Sequence, residues 1–315
     1  MNKKRKFYSI YSAGEIKGLG KSWYFYSADG KKISLSDLEA DDIYFWNEAS
    51  IPTEFLRYVG DRETHFHFVK HGFYQTTFIP AKGKPSDTYI YQYRALIDER
   101  RLSIAKWIVE GEIYAAYHAL RGDYDKDLYL SKLGNVQDVE SVRAVEGDAM
   151  KAFWQYYENT ISDFIGRRYN PPPDRYNALI SFAYSHLYGS AFTAIKLSGL
   201  DPRIGYLHEN RFRTYTLHLD IADLYKPYVA QFAIDLITTG RIKRRWFSSI
   251  SSITLLSERG RREFLKYWDD FIRVKKNMPC GRYSLLITMV KDVDGLRDFL
   301  ISRSRVWKRC FVGGE

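Results

Sequence analysis

Cysteine is nearly absent from this chain: there are two, Cys280 and Cys310, in 315 residues. They form neither a disulfide framework nor a metal-ligand spacing, so two structural thiols in a reducing cytoplasm are expected. Long apolar runs are missing as well. No stretch reaches the roughly 18 residues that cross a bilayer, which excludes a helical membrane protein. The opening Met-Asn-Lys-Lys-Arg-Lys gives way to aromatic and polar residues without an apolar h-region, so no secretory signal is expected. There is no complete phosphate-binding loop. Gly-Leu-Gly-Lys-Ser (18–22) ends like one, but Glu15 stands where the first glycine is required, and strand signals follow instead of a helix. Internal repeats and low-complexity tracts are also absent.

What remains is globular and basic. Hydrophobic residues at 45% and charged residues at 27% suit a chain that buries a core, and the length suits about two domains. Forty-eight Lys and Arg against 38 Asp and Glu leave a net charge of +10, which favours a polyanionic partner. The 26 tyrosines add rings on which splayed bases can stack, although most serve packing.

The first eighty residues carry period-two strand signals. Ser-Trp-Tyr-Phe-Tyr-Ser (22–27), Ala-Asp-Gly (28–30) and Lys-Lys-Ile-Ser-Leu read as a hairpin. Residues 42–46, 65–69 and 74–79 read as further strands, with one helix over 51–60. The polar Pro/Gly stretch at 80–87 reads as a linker. Beyond it the period becomes 3.6, with helices expected over 91–120, 137–165, 175–198, 221–239, 258–274 and 284–303. The expected class is therefore α+β: a small β-rich domain over 1–84, a linker over 85–90 and a larger all-α domain over 91–315. Short strands leave edges, and Tyr24, Tyr44, Phe45 and Trp46 are expected to offer an aromatic face that a second copy covers.

Four phrases stand out from this background. Glu146 lies in Val-Glu-Gly-Asp-Ala (145–149), and Asn-Ala-Leu-Ile-Ser-Phe (177–182) follows a triple proline (171–173). His208 ends Gly-Leu-Asp-Pro-Arg-Ile-Gly-Tyr-Leu-His (199–208), and Asp220 and Asp223 belong to Leu-Asp-Ile-Ala-Asp-Leu-Tyr-Lys-Pro (219–227). Residues 220 and 223 share a helix face. Carboxylate, imidazole and carboxylate together suit Mg²⁺ or Mn²⁺ better than a closed zinc site. In a basic chain, the natural substrate for such an ion is a phosphodiester.

In order and spacing these phrases resemble those of the CRISPR adaptation integrases, which insert new spacers into a CRISPR array. The resemblance spans most of the chain. It implies a strand-rich N-terminal domain that dimerises and a helical catalytic domain. It also implies Glu146, His208 and Asp223 as ligands of Mg²⁺ or Mn²⁺, with Asp220 in the same catalytic set. The implied reaction joins the 3′-hydroxyl of new spacer DNA to a repeat by transesterification. The implied partners are DNA, a second copy of the chain and a small ferredoxin-like companion protein, in the cytoplasm. Arg167, Arg168, Arg211, Arg213, Lys226, Arg241 and Arg244 are placed to hold DNA strands. A branched-DNA nuclease of repair using the same residues, and a DNA-binding scaffold whose metal only orders structure, are the alternatives. His65, His67 and His71 lack a completing acid or cysteine and read as packing residues. Tyr184, Tyr188 and Tyr215 lack the Arg/His framework of a tyrosine recombinase.

Overall fold

The computed structural model describes residues 7–10, 12–40, 42–45, 47–62, 64–70, 73–78, 88–168, 171–208, 215–250 and 253–312. The chain divides into two compact units, Met1–Pro85 and Ser86–Glu315. The expected α+β class holds, with a small strand-rich unit and a larger helical one.

In the first unit, β1 (Phe7–Ile10), β5 (Asp42–Phe45), β7 (His65–Lys70) and β8 (Phe73–Phe78) form one sheet in that order. The second sheet runs β4 (Lys32–Ser34), β3 (Ser22–Ser27), β2 (Gly14–Leu19), β6 (Ala49–Ser50). Alternation places Ile16, Phe25, Ile43, Phe45 and Phe66 in a shared core, with Phe55 arriving from α1 (Thr53–Gly60). Each of these side chains contributes about 1.5–3 kcal/mol by leaving water. The expected hairpin is β3–β4, turned at Gly30 with φ +85°. The phrase 18–22 is the β2–β3 turn, where Gly20 takes φ +61°, so it is no phosphate loop.

One expectation fails here. Tyr44 and Phe45 are buried within the unit, Tyr44 stacking on His67 at 4.2 Å, and are not an exposed aromatic face. Both are drawn in because β5 is flanked by β1 and β7 and is no edge. Tyr24 is half-buried with the Lys32 ammonium 4.0 Å from its ring centre, and Trp46 and His71 lie outside the described residues.

The helical unit begins at α2 (Thr88–Ile97), inside the range expected as linker, followed by α3 (Arg100–Ala119). The expected single helix over 91–120 breaks where Asp98 turns its carboxylate onto the Arg100 backbone and guanidinium. Next come α4 (Lys126–Asn135), which the sequence reading passed over, α5 (Val139–Thr160) and α6 (Arg175–Leu197). Asp125, Asp138 and Asp174 cap the last three by accepting from the backbone three residues on. α6 is apolar on nearly every face and forms the centre of the unit.

The expected helix over 221–239 is two helices, α7 (Leu217–Asp223) and α8 (Lys226–Thr238). Pro227 explains the break: with no N–H to donate, it fits only the first turn of a new helix. After α8 come a hairpin of β9 (Phe247–Ile250) and β10 (Ile253–Leu256), α9 (Glu258–Arg273), a second hairpin of β11 (Lys276–Met278) and β12 (Gly281–Tyr283), and α10 (Leu285–Leu300). The triple proline has no N–H groups to offer, but its carbonyls accept from Thr254 of β10. Among the described residues no helix is long and apolar enough to cross a membrane.

The two cysteines are paired, against the expectation of separate thiols. Cys280, in the β11–β12 turn, is bonded to Cys310 after the C-terminal segment folds back over the helices. The link closes a loop with a sequence separation of 30 residues. Such a loop stabilises by about 3–4 kcal/mol in the chain-entropy model. Cys310→Ser is therefore expected to melt several degrees below the parent under oxidising conditions and together with it in excess dithiothreitol. Equal melting without reductant would show that the link carries no stability.

Candidate functional site

The site is assembled from four helices, α3, α5, α7 and α8, and one loop. On α5, Val142, Val145, Ala149 and Phe153 form the buried stripe, and Glu146 stands at its edge, partly buried. On α7, Asp220 and Asp223 are both fully buried. The loop carrying His208 turns at Gly199, with φ +73°, and is pinned where Asp201 grips Arg203. Gly205 must be glycine, because a Cβ there would lie 2.7 Å from Thr216 Oγ1. That close approach brings three successive backbone N–H groups onto one carboxylate.

Asp220 is that carboxylate. Tyr206 N and Leu207 N donate to its Oδ2 at 2.5 and 3.1 Å, and His208 N donates to Oδ1 at 3.1 Å. The His208 ring adds a fourth bond, Nδ1 to Oδ1 at 2.8 Å. Asp220 is thus saturated and acts as an anchor. By accepting from Nδ1 it fixes the ring and turns Nε2 outward, the arrangement that second-shell carboxylates give metal-binding histidines. Burial opposes a charge on His208, but the Asp220 hydrogen bond and the Asp223 charge outweigh it and hold its pKa above the ordinary value.

Asp223 lies 3.6 Å from His208 Nδ1 through Oδ2, and the Lys226 ammonium pairs with Oδ1. Beyond that ion pair no group among the described residues donates to either oxygen, so lone pairs remain free on a fully buried carboxylate. Burial disfavours the charged Lys226, yet Asp223 and then Tyr188 and Glu112 raise its pKa well above the ordinary lysine value. The Lys226 charge, expected to hold a DNA strand, is placed against Asp223 at the centre of the site.

Glu112 is a member of the buried cluster that the sequence reading missed. It sits on α3, 1% exposed, with Oε2 unbonded. Burial, then the charges of Asp223 and Glu146, push its pKa well up. Glu146 is raised for the same reasons, burial first and Asp223 second. The signal was available: Ala105, Ile108, Glu112, Ala115 and Ala119 mark one buried helical stripe with a carboxylate in the middle.

Among the described residues, no three His, Cys, Asp or Glu side chains converge as a ready-made metal centre. The donor chemistry nevertheless suits a divalent cation. The free lone pairs of buried Asp223, partly buried Glu146 and an oriented imidazole are a hard, largely anionic donor set, with the Lys226 ammonium as a counter-charge.

The other expected residues separate. Arg167 is turned inward, bonded to Asn177 Oδ1 and Ser181 Oγ and resting over Tyr184. The 177–182 phrase is therefore structural, Asn177 also bonding Gly166 O and Asp174. Arg168, Arg241 and Arg244 are exposed, and Arg211 and Arg213 lie outside the described residues.

Fold and site together define an α+β protein whose helical unit encloses a buried cluster of carboxylates, one imidazole and one ammonium. Residues 8–270 match the family described as CRISPR associated protein Cas1, and the chain belongs to that family. It is 32% identical over 276 residues to CRISPR-associated endonuclease Cas1 3 of Thermodesulfovibrio yellowstonii, across 83% of this chain and 85% of the relative. The structure of a CAS1 protein from Thermotoga maritima superposes with a TM-score of 0.84 at 27% identity, covering 96% of this chain and 99% of that one. A casposase bound to integration product has the same fold, with a TM-score of 0.84 at 21% identity over 97% of this chain and 93% of its own.

Proposed function

We propose that this protein is the strand-transferring DNA endonuclease of CRISPR adaptation, joining the 3′-hydroxyl of an incoming DNA fragment to a phosphate at the repeat boundary. The observation that carries the reading is the His208 imidazole, held by a saturated Asp220 beside Asp223, whose Oδ2 takes no hydrogen bond among the described residues. Glu146, His208 through Nε2 and Asp223 would hold Mg²⁺ or Mn²⁺. Such an ion draws charge from a phosphodiester and acidifies the attacking hydroxyl. The endonuclease name of the family relatives supports the same chemistry.

The chain's own residues supply the rest. Asp220 keeps His208 in one tautomer, so its ring cannot rotate away from the reacting phosphate. Buried Tyr206, Leu207, Leu224 and Tyr225 wall the cluster and exclude water, which strengthens each charge interaction. Lys226 adds positive charge beside Asp223 where the phosphate approaches. Transesterification exchanges one phosphodiester for another, so neither ATP nor a covalent enzyme intermediate is needed. Exposed Arg168, Arg241 and Arg244, with Arg211 and Arg213, would track the DNA backbone. A second copy joined through the strand-rich unit and a small ferredoxin-like companion would complete the assembly.

Strand transfer on a branched DNA substrate tests the reading. Rejoining of the branch, dependent on Mg²⁺ or Mn²⁺ and lost with a chelator, is expected. Cutting without rejoining favours the repair nuclease, and binding without either reaction favours the scaffold. Generic duplex affinity is expected to fall about 10³-fold between 50 and 200 mM salt if some six phosphates are contacted. A flat salt response would argue against phosphate-led binding.

A further inference from the structure

The corner between α7 and α8 holds the two most exacting positions of the site. Asp223 ends one helix and Lys226 begins the next, with only Leu224 and Tyr225 between them. A seven-residue helix such as α7 is marginal by itself, so its last residue needs external support.

That support is visible. Leu224 presses on α3 so closely that a Cβ on Gly111 would meet its Cδ2 at 2.4 Å, immediately beside Glu112. Tyr225, fully buried, donates its hydroxyl to Asp292 Oδ2 of α10 at 2.5 Å. The C-terminal segment closes over this contact. Cys310 N donates to Asp292 Oδ1 at 3.0 Å, and Trp307 Nε1 to the Asp292 carbonyl at 2.6 Å. Phe311 packs its ring 5.5 Å from that of Tyr225, while neighbouring Arg309 is paired with Glu110 of α3. The disulfide to Cys280 ties the segment down. Together these contacts clamp the corner from three sides, from α3, from α10 and from the C-terminal segment.

We infer that Tyr225, anchored on Asp292 and on the C-terminal segment, is a positioning residue that sets Asp223 and Lys226 against His208 and Glu146. The inference rests on the reading of Asp223 as a cation ligand. Deleting the hydroxyl releases the corner from α10 without removing the ring that packs on Phe311. Asp223 then loses its fixed place while the fold stays closed around it.

The test is calorimetric titration of the full-length, metal-free protein with Mn²⁺, alongside kcat and KM for strand transfer. Tyr225→Phe is expected to bind Mn²⁺ about 10–100-fold more weakly, the usual cost of losing an outer support. Its kcat should fall while KM for DNA stays unchanged, because the DNA contacts lie elsewhere. Asp292→Ala should behave like Tyr225→Phe, and Asp292→Asn, whose amide oxygen accepts from Cys310 N while its NH2 donates to the Tyr225 hydroxyl oxygen, should restore Mn²⁺ binding. If Tyr225→Phe binds Mn²⁺ as the parent does while Asp223→Ala does not, the inference is overturned and the ligand reading stands. If Asp223→Ala binds Mn²⁺ as tightly as the parent, the ligand reading itself is overturned, and the inference with it. A melting temperature lowered with Mn²⁺ affinity unchanged also overturns it, since a merely structural role predicts that pattern.

Discussion

His208→Ala is expected to lose strand transfer by roughly 10³-fold or more, because electrophilic assistance to a phosphodiester is worth several kcal/mol and each 1.36 kcal/mol is tenfold. Glu146→Ala and Asp223→Ala should do the same, each leaving an incomplete donor set. Duplex affinity should change by less than roughly threefold in all three, because phosphate contacts are spread over many Lys and Arg. Asp220 behaves differently. Its carboxylate satisfies three buried backbone N–H groups as well as the imidazole. Asp220→Ala therefore costs stability, at about 1–3 kcal/mol for each donor left unpaired, and frees the ring to turn. Circular dichroism should report intact folding for His208→Ala and a lowered melting point for Asp220→Ala. Full strand transfer by His208→Ala with added Mg²⁺ would remove the basis of the metal reading.

Short phrases in fixed order singled out Glu146, His208, Asp220 and Asp223 through their resemblance to a known family. The structure adds a physical link among three of them: consecutive N–H groups of the loop ending at His208 meet the Asp220 carboxylate, with Asp223 one turn further along the same short helix. The strand-to-helix change of period located the two units, and Asp29-Gly30 located a hairpin. What stayed hidden depended on contacts distant in sequence. Glu112 is an ordinary helix glutamate until α3 packs beside Asp223 and Glu146. Lys226 looked like a strand-binding surface charge until the α7–α8 corner turned it onto Asp223. The corner itself was read as continuous helix because apolar periodicity runs through it, although Pro227 carried the signal. The Cys280–Cys310 pair could not be inferred from spacing, since only the returning C-terminal segment brings the two together.

Lys226→Met should be strongly destabilising in metal-free protein. Asp223 is fully buried, and burial and mutual repulsion already raise the pKa of Glu112 and Glu146. The Lys226 ammonium lies against Asp223 and opposes the charge on all three acids, with His208 and Arg143 adding to it at Glu146. Removing one partner of a buried ion pair costs about 3–5 kcal/mol, because the remaining charge is left without compensation. The pH dependence has a fixed sign. Glu112 and Glu146 take up protons more readily folded than unfolded, so their contribution to stability is complete below the ordinary carboxylate pKa and is lost as pH rises through the raised values. Without Lys226 those values rise further. The deficit of Lys226→Met should therefore be small in mild acid and grow toward neutral pH. A divalent ion at 100 times its dissociation constant should return about 2.7 kcal/mol, by binding the folded form alone. Glu112→Gln should move stability the opposite way, since it removes one of the crowded charges while keeping the shape. Thermal melts of the three proteins across pH, with and without Mg²⁺, separate these outcomes. A Lys226→Met protein as stable as the parent at neutral pH without metal would mean that the ammonium does not hold the carboxylates together. The weaker DNA binding first expected of a surface lysine would then be the effect to look for at this position.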